Sequence, residues 1–179
     1  MLLYFIRHGQ TDWNKDMRMQ GQSDIPLNEN GRESAIEAGK TLANTHIDLA
    51  FSSPLKRAKE TAELVLAGRD IPIIEDKRIE EICFGICEGM KGRDENGQPV
   101  GCFAEFFAHP EQYQAPENGE DAKMLCARTW NFLEDITTRE ELQDKSILIA
   151  THGAALQSMM LWVNKQPCLL YTSDAADDK

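Results

Sequence analysis

Leu2-Leu3-Tyr4-Phe5-Ile6-Arg7-His8-Gly9 is the stretch that decides the fold. It starts as a continuous run of apolar, strand-forming residues, which is typical of a β-strand buried on both faces of a parallel sheet. The run stops at Arg7 and His8, two side chains that carry or accept positive charge. Burying both at a strand end is costly unless an anion accompanies them. The stretch therefore predicts a parallel sheet with an anion-binding site at the carboxyl end of its first strand.

The rest of the chain alternates strand-like and helical segments. We expect further strands at 48–53, 71–74 and 146–150. We expect helices at 32–42, 103–108, 119–142 and 154–163, and another that opens at Ser53-Pro54. Such alternation favours an α/β fold of three layers, with a mostly parallel central sheet and helices on both faces. Neither a repeat nor an inter-domain linker is evident, so one domain is expected.

Composition limits the classes of function. The 179 residues fit one domain, and 41% hydrophobic with 27% charged residues is ordinary for a soluble globular protein. A net charge of −11 argues against nucleic acid as a partner, because nucleic-acid binding needs a basic face. It also opposes long-range attraction of phosphorylated substrates, so such a substrate would need a locally positive pocket.

The chain shows no sign of membrane insertion or export. No stretch approaches the roughly 20 apolar residues of a membrane span, and no secretory signal is evident at the start. Five cysteines lack CxxC spacing, so we expect neither a zinc site nor a disulfide framework. Reduced thiols and a cytoplasmic location are expected instead.

Polar residues follow the ends of all four predicted strands. They are Arg7 and His8 after the first strand, Arg57 one turn into the helix after the second, Glu81 beyond the third, and His152 after the fourth. Ligands of open parallel sheets bind at the carboxyl ends of the strands. The chain therefore delivers two arginines, two histidines and a glutamate to one edge of the sheet.

Each of these residues also has a purely structural explanation. His152 alone is typical of a turn or capping residue, and Arg57 alone is typical of a solvated helix residue paired with a nearby glutamate. Glu81 lies in an acidic run that begins at Glu75, most of which is expected to be solvated surface. The convergence of the whole set is what indicates a site.

The chemistry of these residue types suits phosphoryl transfer. The planar guanidinium of arginine matches phosphoryl oxygens. An imidazole nucleophile must be neutral, and neighbouring cations favour that form by lowering its pKa. A nearby carboxyl group would protonate the leaving alkoxide and then deprotonate the attacking water. Arg7, Arg57 and His152 would supply the charge stabilisation that a metal gives elsewhere, so no metal and no cofactor are expected.

Ordered motifs along the chain carry a family resemblance. They are Arg7-His8-Gly9-Gln10-Thr11 with Asn14, Asp24-Ile25-Pro26-Leu27 with Gly31, Ser52-Ser53-Pro54-Leu55-Lys56-Arg57-Ala58 with Thr61-Ala62, Glu81 with Phe84-Gly85 and Glu88-Gly89, Gly119-Glu120, and Thr151-His152-Gly153. In this order they resemble the motifs of the histidine phosphatase superfamily, which includes phosphatases and cofactor-dependent phosphoglycerate mutases. The resemblance covers about residues 2 to 163.

The resemblance implies a role for each matched residue. His8 would be the phosphorylated nucleophile and Glu81 the proton donor. The phosphoryl oxygens would be held by Arg7, Arg57 and His152. The further phosphate- or substrate-binding residues that it implies are Asn14, Gln20, Gly21 and Gly153.

Three departures from the family pattern stand out. Cys87 replaces a frequent tryptophan, and Asp121 follows Gly119-Glu120 where the family has serine. Both positions lie beside the substrate, so they concern specificity. The family also usually continues with a strand and a helix, which 164–179 does not match. We therefore expect a histidine phosphatase domain over 1–163 and a truncated or disordered tail over 164–179.

Three functions remain open at this point. The first is a phosphatase acting on a small phosphorylated metabolite, favoured because the excursion at 89–118 is short and carries only Lys91 and Arg93 as cations. The second is a phosphoglycerate mutase, which returns the phosphoryl group to its substrate. The third is a phospho-ligand binding module without catalysis. The protein is expected to be a monomer or a homodimer.

Overall fold

A computed structural model describes residues 1–109 and 112–168 of the chain. Strands and helices alternate along it as follows: β1 (Leu2–Arg7), α1 (Asp12–Lys15), α2 (Glu29–Thr41), β2 (Leu49–Ser52), α3 (Lys56–Val65), β3 (Ile73–Glu75), α4 (Ala104–Ala108), α5 (Ala122–Thr138), β4 (Ser146–Thr151) and α6 (Gly153–Val163). Single 3₁₀ turns lie at Lys77–Ile79, Gly85–Cys87, Gly101–Phe103 and Glu140–Leu142. Within the described ranges, no helix is both long and apolar enough to cross a membrane.

The four strands form one parallel sheet in the order β1-β4-β2-β3. Leu2 pairs with Ser146 at the start of β1, and Arg7 pairs with Thr151 at its end. Because all strands run the same way, their carboxyl ends meet at one edge. The predicted parallel sheet is confirmed.

Alternate residues of the central strands face two separate apolar layers. Phe51 and Ile149 belong to the layer that α5 and α6 cover, where Phe132 packs edge-on against Phe51 at 5.3 Å between ring centroids. Ala50 and Leu148 belong to the opposite layer, under α2 and α3. Helices therefore cover both faces, as predicted for a three-layer α/β fold.

Three helix starts differ from the prediction by more than one residue, and their caps explain them. Helix α2 begins at Glu29, three residues before the predicted Arg32, because the Asn28 side chain accepts from the Gly31 N–H at 2.9 Å. Helix α3 begins at Lys56, and Pro54 precedes it, because the Lys56 N–H donates to Asp24 Oδ1 at 2.7 Å from a distant loop. Helix α5 begins at Ala122, since the Asp121 side chain accepts from the backbone N–H of Met124, the third residue of the helix. The short helix α1 was not predicted.

One expectation about the cysteines is wrong. Cys126 of α5 and Cys168 form a disulfide with a Cα–Cα distance of 6.2 Å. The packing of α5 against α6 brings the segment after α6 back to α5, which the spacing of cysteines in sequence does not reveal. Cys83, Cys87 and Cys102 are free thiols. Of the predicted tail, residues 164–168 are described, and 169–179 lie outside the described residues.

Candidate active site

The two predicted site histidines meet at the carboxyl edge of the sheet. His8 follows β1, and His152 caps the start of α6 after β4. Their ring centroids are 5.1 Å apart. Arg7 and Glu81 flank the first residue of α6, since a Cβ placed on Gly153 would lie 3.6 Å from both Arg7 Nε and Glu81 Oε2. The structure therefore brings these predicted residues together.

Local contacts set the tautomer and charge of His8. Its Nδ1 lies 2.7 Å from the carbonyl oxygen of Gly9, so Nδ1 carries the proton and the Nε2 lone pair is left free. Burial lowers the pKa of His8 to about 3, helped by the positive charges of Arg57 and Arg7 and opposed by the Gly9 hydrogen bond. The imidazole is therefore neutral at neutral pH.

The loop that follows His8 is held from two sides. The Gly9 N–H donates to Thr61 Oγ1 of α3 at 3.0 Å. A side chain on Gly9 would collide with the backbone of Gly31 at the start of α2. Glycine at position 9 is needed for this close approach, which fixes the ring of His8.

Arg57 is fully buried and bridges α3 to the loop at 20–23. Its two terminal nitrogens donate to the carbonyl oxygens of Ser23 at 2.8 Å and Gly21 at 2.7 Å. Its Nε is buried without a partner among the described residues. Burial lowers the pKa of Arg57 to about 10, opposed by Glu81 and other carboxylates, so the group stays cationic at neutral pH.

The same loop is also anchored by a carboxylate, that of Glu88. Glu88 accepts hydrogen bonds from the backbone N–H of Gln22 at 2.8 Å and from Ser23 Oγ at 2.5 Å. Gly21 adopts a φ of +53°, and a Cβ there would collide with the Glu88 side chain. The loop thus has a single conformation set by Arg57 on one side and Glu88 on the other.

His152 is fully buried, and only one of its ring nitrogens is engaged. Nε2 lies 2.8 Å from Ser53 Oγ, whereas Nδ1 has no hydrogen-bond partner within the described part of the chain. Burial, together with the charge of Arg57, lowers the pKa of His152 well below its usual range. His152 is therefore a neutral imidazole.

The Glu81 carboxylate lies at the amino terminus of α6. Oε2 accepts from the Ala154 N–H at 3.2 Å, and Oε1 accepts from the N–H groups of Ala155 at 3.1 Å and Ile82 at 3.0 Å. His152, the N-cap residue, makes no capping bond with its own side chain, so Glu81 satisfies these helix-terminal donors instead. This arrangement fixes the direction in which the carboxyl group points.

Arg128 on α5 holds the backbone that carries Glu81. It donates to the carbonyl oxygens of Arg78 at 2.9 Å, Glu80 at 2.7 Å and Glu81 at 2.8 Å. Glu120 pairs with it at 2.8 Å and also accepts from a backbone N–H of the same loop. Sequence reasoning missed Arg128, although an arginine one turn from Leu125 on the buried face of α5 was a usable signal.

The other predicted binding residues lie in the adjoining loops. Asn14 Oδ1 accepts from the Thr11 N–H at 3.1 Å, and Gln20 Oε1 accepts from Thr11 Oγ1 at 2.9 Å. Neither amide nitrogen has a hydrogen-bond partner in the described ranges. Gly21 supplies a carbonyl to Arg57, and Gly153 starts α6. Their contact with a ligand stays a prediction.

The described side chains were also compared with the arrangement that a metal site needs. Within residues 1–109 and 112–168, no three His, Cys, Asp or Glu side chains are grouped as metal ligands would be. Arg7 forms no ion pair within these ranges, and its positive charge lowers the pKa values of His8, Arg57 and His152. The site is thus a small, locally positive cradle.

Fold and site together define a class of phosphoryl-transfer enzymes built around a neutral histidine. The chain belongs to the histidine phosphatase superfamily (branch 1), whose sequence model matches residues 3–172. It is accordingly an enzyme of the phosphatase or mutase type.

This chain is similar in sequence to named relatives of both types. It is 32% identical to a 2,3-bisphosphoglycerate-dependent phosphoglycerate mutase of Cytophaga hutchinsonii, over 92% of this chain and 78% of the relative. It is also 32% identical to an uncharacterized phosphatase, PhoE, of Bacillus subtilis, over 87% of this chain and 73% of the relative. The solved structure of Bacillus stearothermophilus YhfR matches with a TM-score of 0.80 and 36% identity, covering 93% of this chain and 81% of that one.

Proposed function

We propose that the protein is a metal-independent phosphatase that hydrolyses small phosphate monoesters through a phosphohistidine on His8. One observation carries the proposal. The free lone pair of a neutral His8 faces a cradle in which Arg57 Nε and His152 Nδ1 are buried without partners. Buried polar atoms are almost always hydrogen-bonded, so these orphaned nitrogens point to an absent anion.

The reaction follows from this arrangement in two steps. His8 Nε2 attacks phosphorus, the bond from phosphorus to the ester oxygen breaks, and Glu81 gives its proton to the leaving alkoxide. A water molecule then attacks the phosphohistidine while Glu81 takes up its proton, which releases phosphate and restores His8. Arg7 and Arg57 stabilise the negative charge on the phosphoryl oxygens during both steps.

The excursion at 89–118 favours hydrolysis over mutase chemistry. A bisphosphorylated substrate needs cations for its second acidic group. Arg93, one of two cations in the excursion, lies over the Phe107 ring at 4.3 Å and donates to the Gly97 carbonyl at 2.8 Å, so the excursion itself uses it. Phe103 and Phe106 of the excursion pack on Phe84 and join the main hydrophobic core.

Phosphoglycerate mutase remains the second candidate because several relatives carry that name. The test compares two assays on the same preparation. Hydrolysis of p-nitrophenyl phosphate by the wild type, lost in His8→Ala, is the expected result. Rapid isomerisation of 3-phosphoglycerate with a bisphosphoglycerate primer and little free phosphate would favour the mutase. Equal hydrolysis rates in the wild type and His8→Ala would show that His8 is not the nucleophile.

A further inference from the structure

Ser53 is a fully buried serine whose side chain lies between α3 and His152. It follows β2 directly, and its Oγ has two neighbours within hydrogen-bond distance. One is the backbone N–H of Leu55, which donates to Oγ at 3.3 Å. The other is His152 Nε2, at 2.8 Å.

The position of the Ser53 hydroxyl proton follows from these two contacts. The Leu55 N–H is a donor, so it occupies an oxygen lone pair and accepts nothing. Among the described residues, His152 Nε2 is then the acceptor left for the Ser53 O–H. If Nε2 carried a proton instead, two N–H groups would point at Oγ and the buried O–H would have no acceptor, which is costly.

We infer that Ser53 donates to His152 Nε2 and thereby places the ring proton of His152 on Nδ1, where it donates to a phosphoryl oxygen. Ser53 is thus a positioning residue, since it acts on the ligand through His152. The inference rests on the proposed function for its ligand, whereas the position of the ring proton is a property of the free protein.

The placement matters because His152 has one ring proton to offer. A neutral imidazole carries a proton on one nitrogen only, so the opposite tautomer would turn a lone pair of Nδ1 toward the phosphoryl oxygens. That arrangement would repel the anion. The hydroxyl of Ser53 selects the tautomer in advance, and the helix-end N–H of Leu55 holds the hydroxyl in place.

The experiment is ¹⁵N NMR of the histidine ring nitrogens in the intact protein at neutral pH, without ligand. Signals of His152 are assigned with His152→Gln. The wild type is expected to show a protonated Nδ1 and an unprotonated, hydrogen-bonded Nε2. In Ser53→Ala this tautomer should lose population to the form protonated on Nε2, and Ser53→Thr should restore it. The matched control is Ser52→Ala, a buried serine one residue earlier whose Oγ donates to the Ser53 carbonyl.

Inhibition by inorganic phosphate and orthovanadate supplies the second readout. Ser53→Ala should weaken inhibition roughly tenfold, while Ser53→Thr stays near the wild type. A wild-type His152 protonated on Nε2 would overturn the inference, as would an unchanged tautomer in Ser53→Ala. Absence of phosphatase activity in the wild type would instead count against the proposed function, and the tautomer would still be read from the same spectra.

Discussion

At the scale of single residues, the lowered pKa of His8 makes the stability of the fold depend on pH. Its pKa is lowered from 6.5 to about 3, first by burial and then by Arg57. Between these values the unfolded chain binds a proton that the folded chain does not. His8 therefore leaves the free energy of unfolding almost unaffected by pH above 6.5 and lowers it progressively as the pH falls toward 3.

This difference gives a measurable pH dependence. Lowering the pH from 7 to 5 should cost about 2 kcal/mol of unfolding free energy through His8 alone, because a proton is bound only in the unfolded state. Urea unfolding at the two pH values, for the wild type and for His8→Asn, measures that share. The exposed His46 provides the control as His46→Gln. An equal pH dependence in wild type and His8→Asn would show that His8 is not held neutral.

Glu81 is the residue whose role depends on the substrate's leaving group. Glu81→Gln should reduce the hydrolysis of alkyl phosphates by about 10²- to 10⁴-fold, because an alkoxide needs the proton that Glu81 donates. With p-nitrophenyl phosphate, which releases a stable phenolate, the rate of phosphoryl transfer to His8 should fall much less. Single-turnover kinetics on both substrates measures this, with Glu80→Gln as the neighbouring control. Equal losses on both substrates would argue that Glu81 only positions the helix.

At the scale of elements, α5 supports the site by holding the segment that carries Glu81. Arg128 ties the carbonyls of Arg78, Glu80 and Glu81 to this helix. Truncating Arg128 alone would leave the half-buried Glu120 without its partner, at a cost of up to about 3–5 kcal/mol. The double variant Glu120→Gln/Arg128→Met avoids that unpaired charge.

We expect this double variant to fold and to turn over slowly. Its kcat should fall because Glu81 is no longer held, while inhibition by phosphate should stay close to that of the wild type. The exposed Lys123→Met on the same helix is the control. Phosphate inhibition that falls in parallel with kcat would mean that Arg128 supports the cradle as a whole.

Element boundaries show where sequence reasoning succeeds and where it stops. The apolar runs predict every strand, since strand periodicity is a local property. The start of α3 was missed because its cap, Asp24, lies 32 positions earlier in the chain. The convergence of the predicted site residues was predictable from the strand ends, whereas the anchoring of Glu81 by Arg128 depends on packing that no local pattern encodes.

At the scale of the whole molecule, the Cys126–Cys168 disulfide closes a large loop. It joins residues 42 apart, and closing a loop of that length in the unfolded chain corresponds to about 4 kcal/mol. Cys168→Ala should lower the unfolding free energy by up to about that amount under oxidising conditions. Denaturant unfolding measures it, with the exposed Cys102→Ala as control. Identical midpoints with and without a reducing agent would show that the bond does not stabilise the fold.

The order of the strands also sets when the protein becomes an enzyme during its synthesis. Strand β4 lies between β1 and β2, so Leu2 waits for Ser146, roughly 140 residues later, before it pairs. At about 5–20 residues per second, a ribosome needs roughly 7–30 seconds to bridge that gap. The nascent β1 is an unpaired apolar strand for that time, a natural client for chaperones. The last of the described strands to emerge completes the sheet and brings His152 to His8, so we expect growing chains that lack β4 to lack the proposed phosphatase activity.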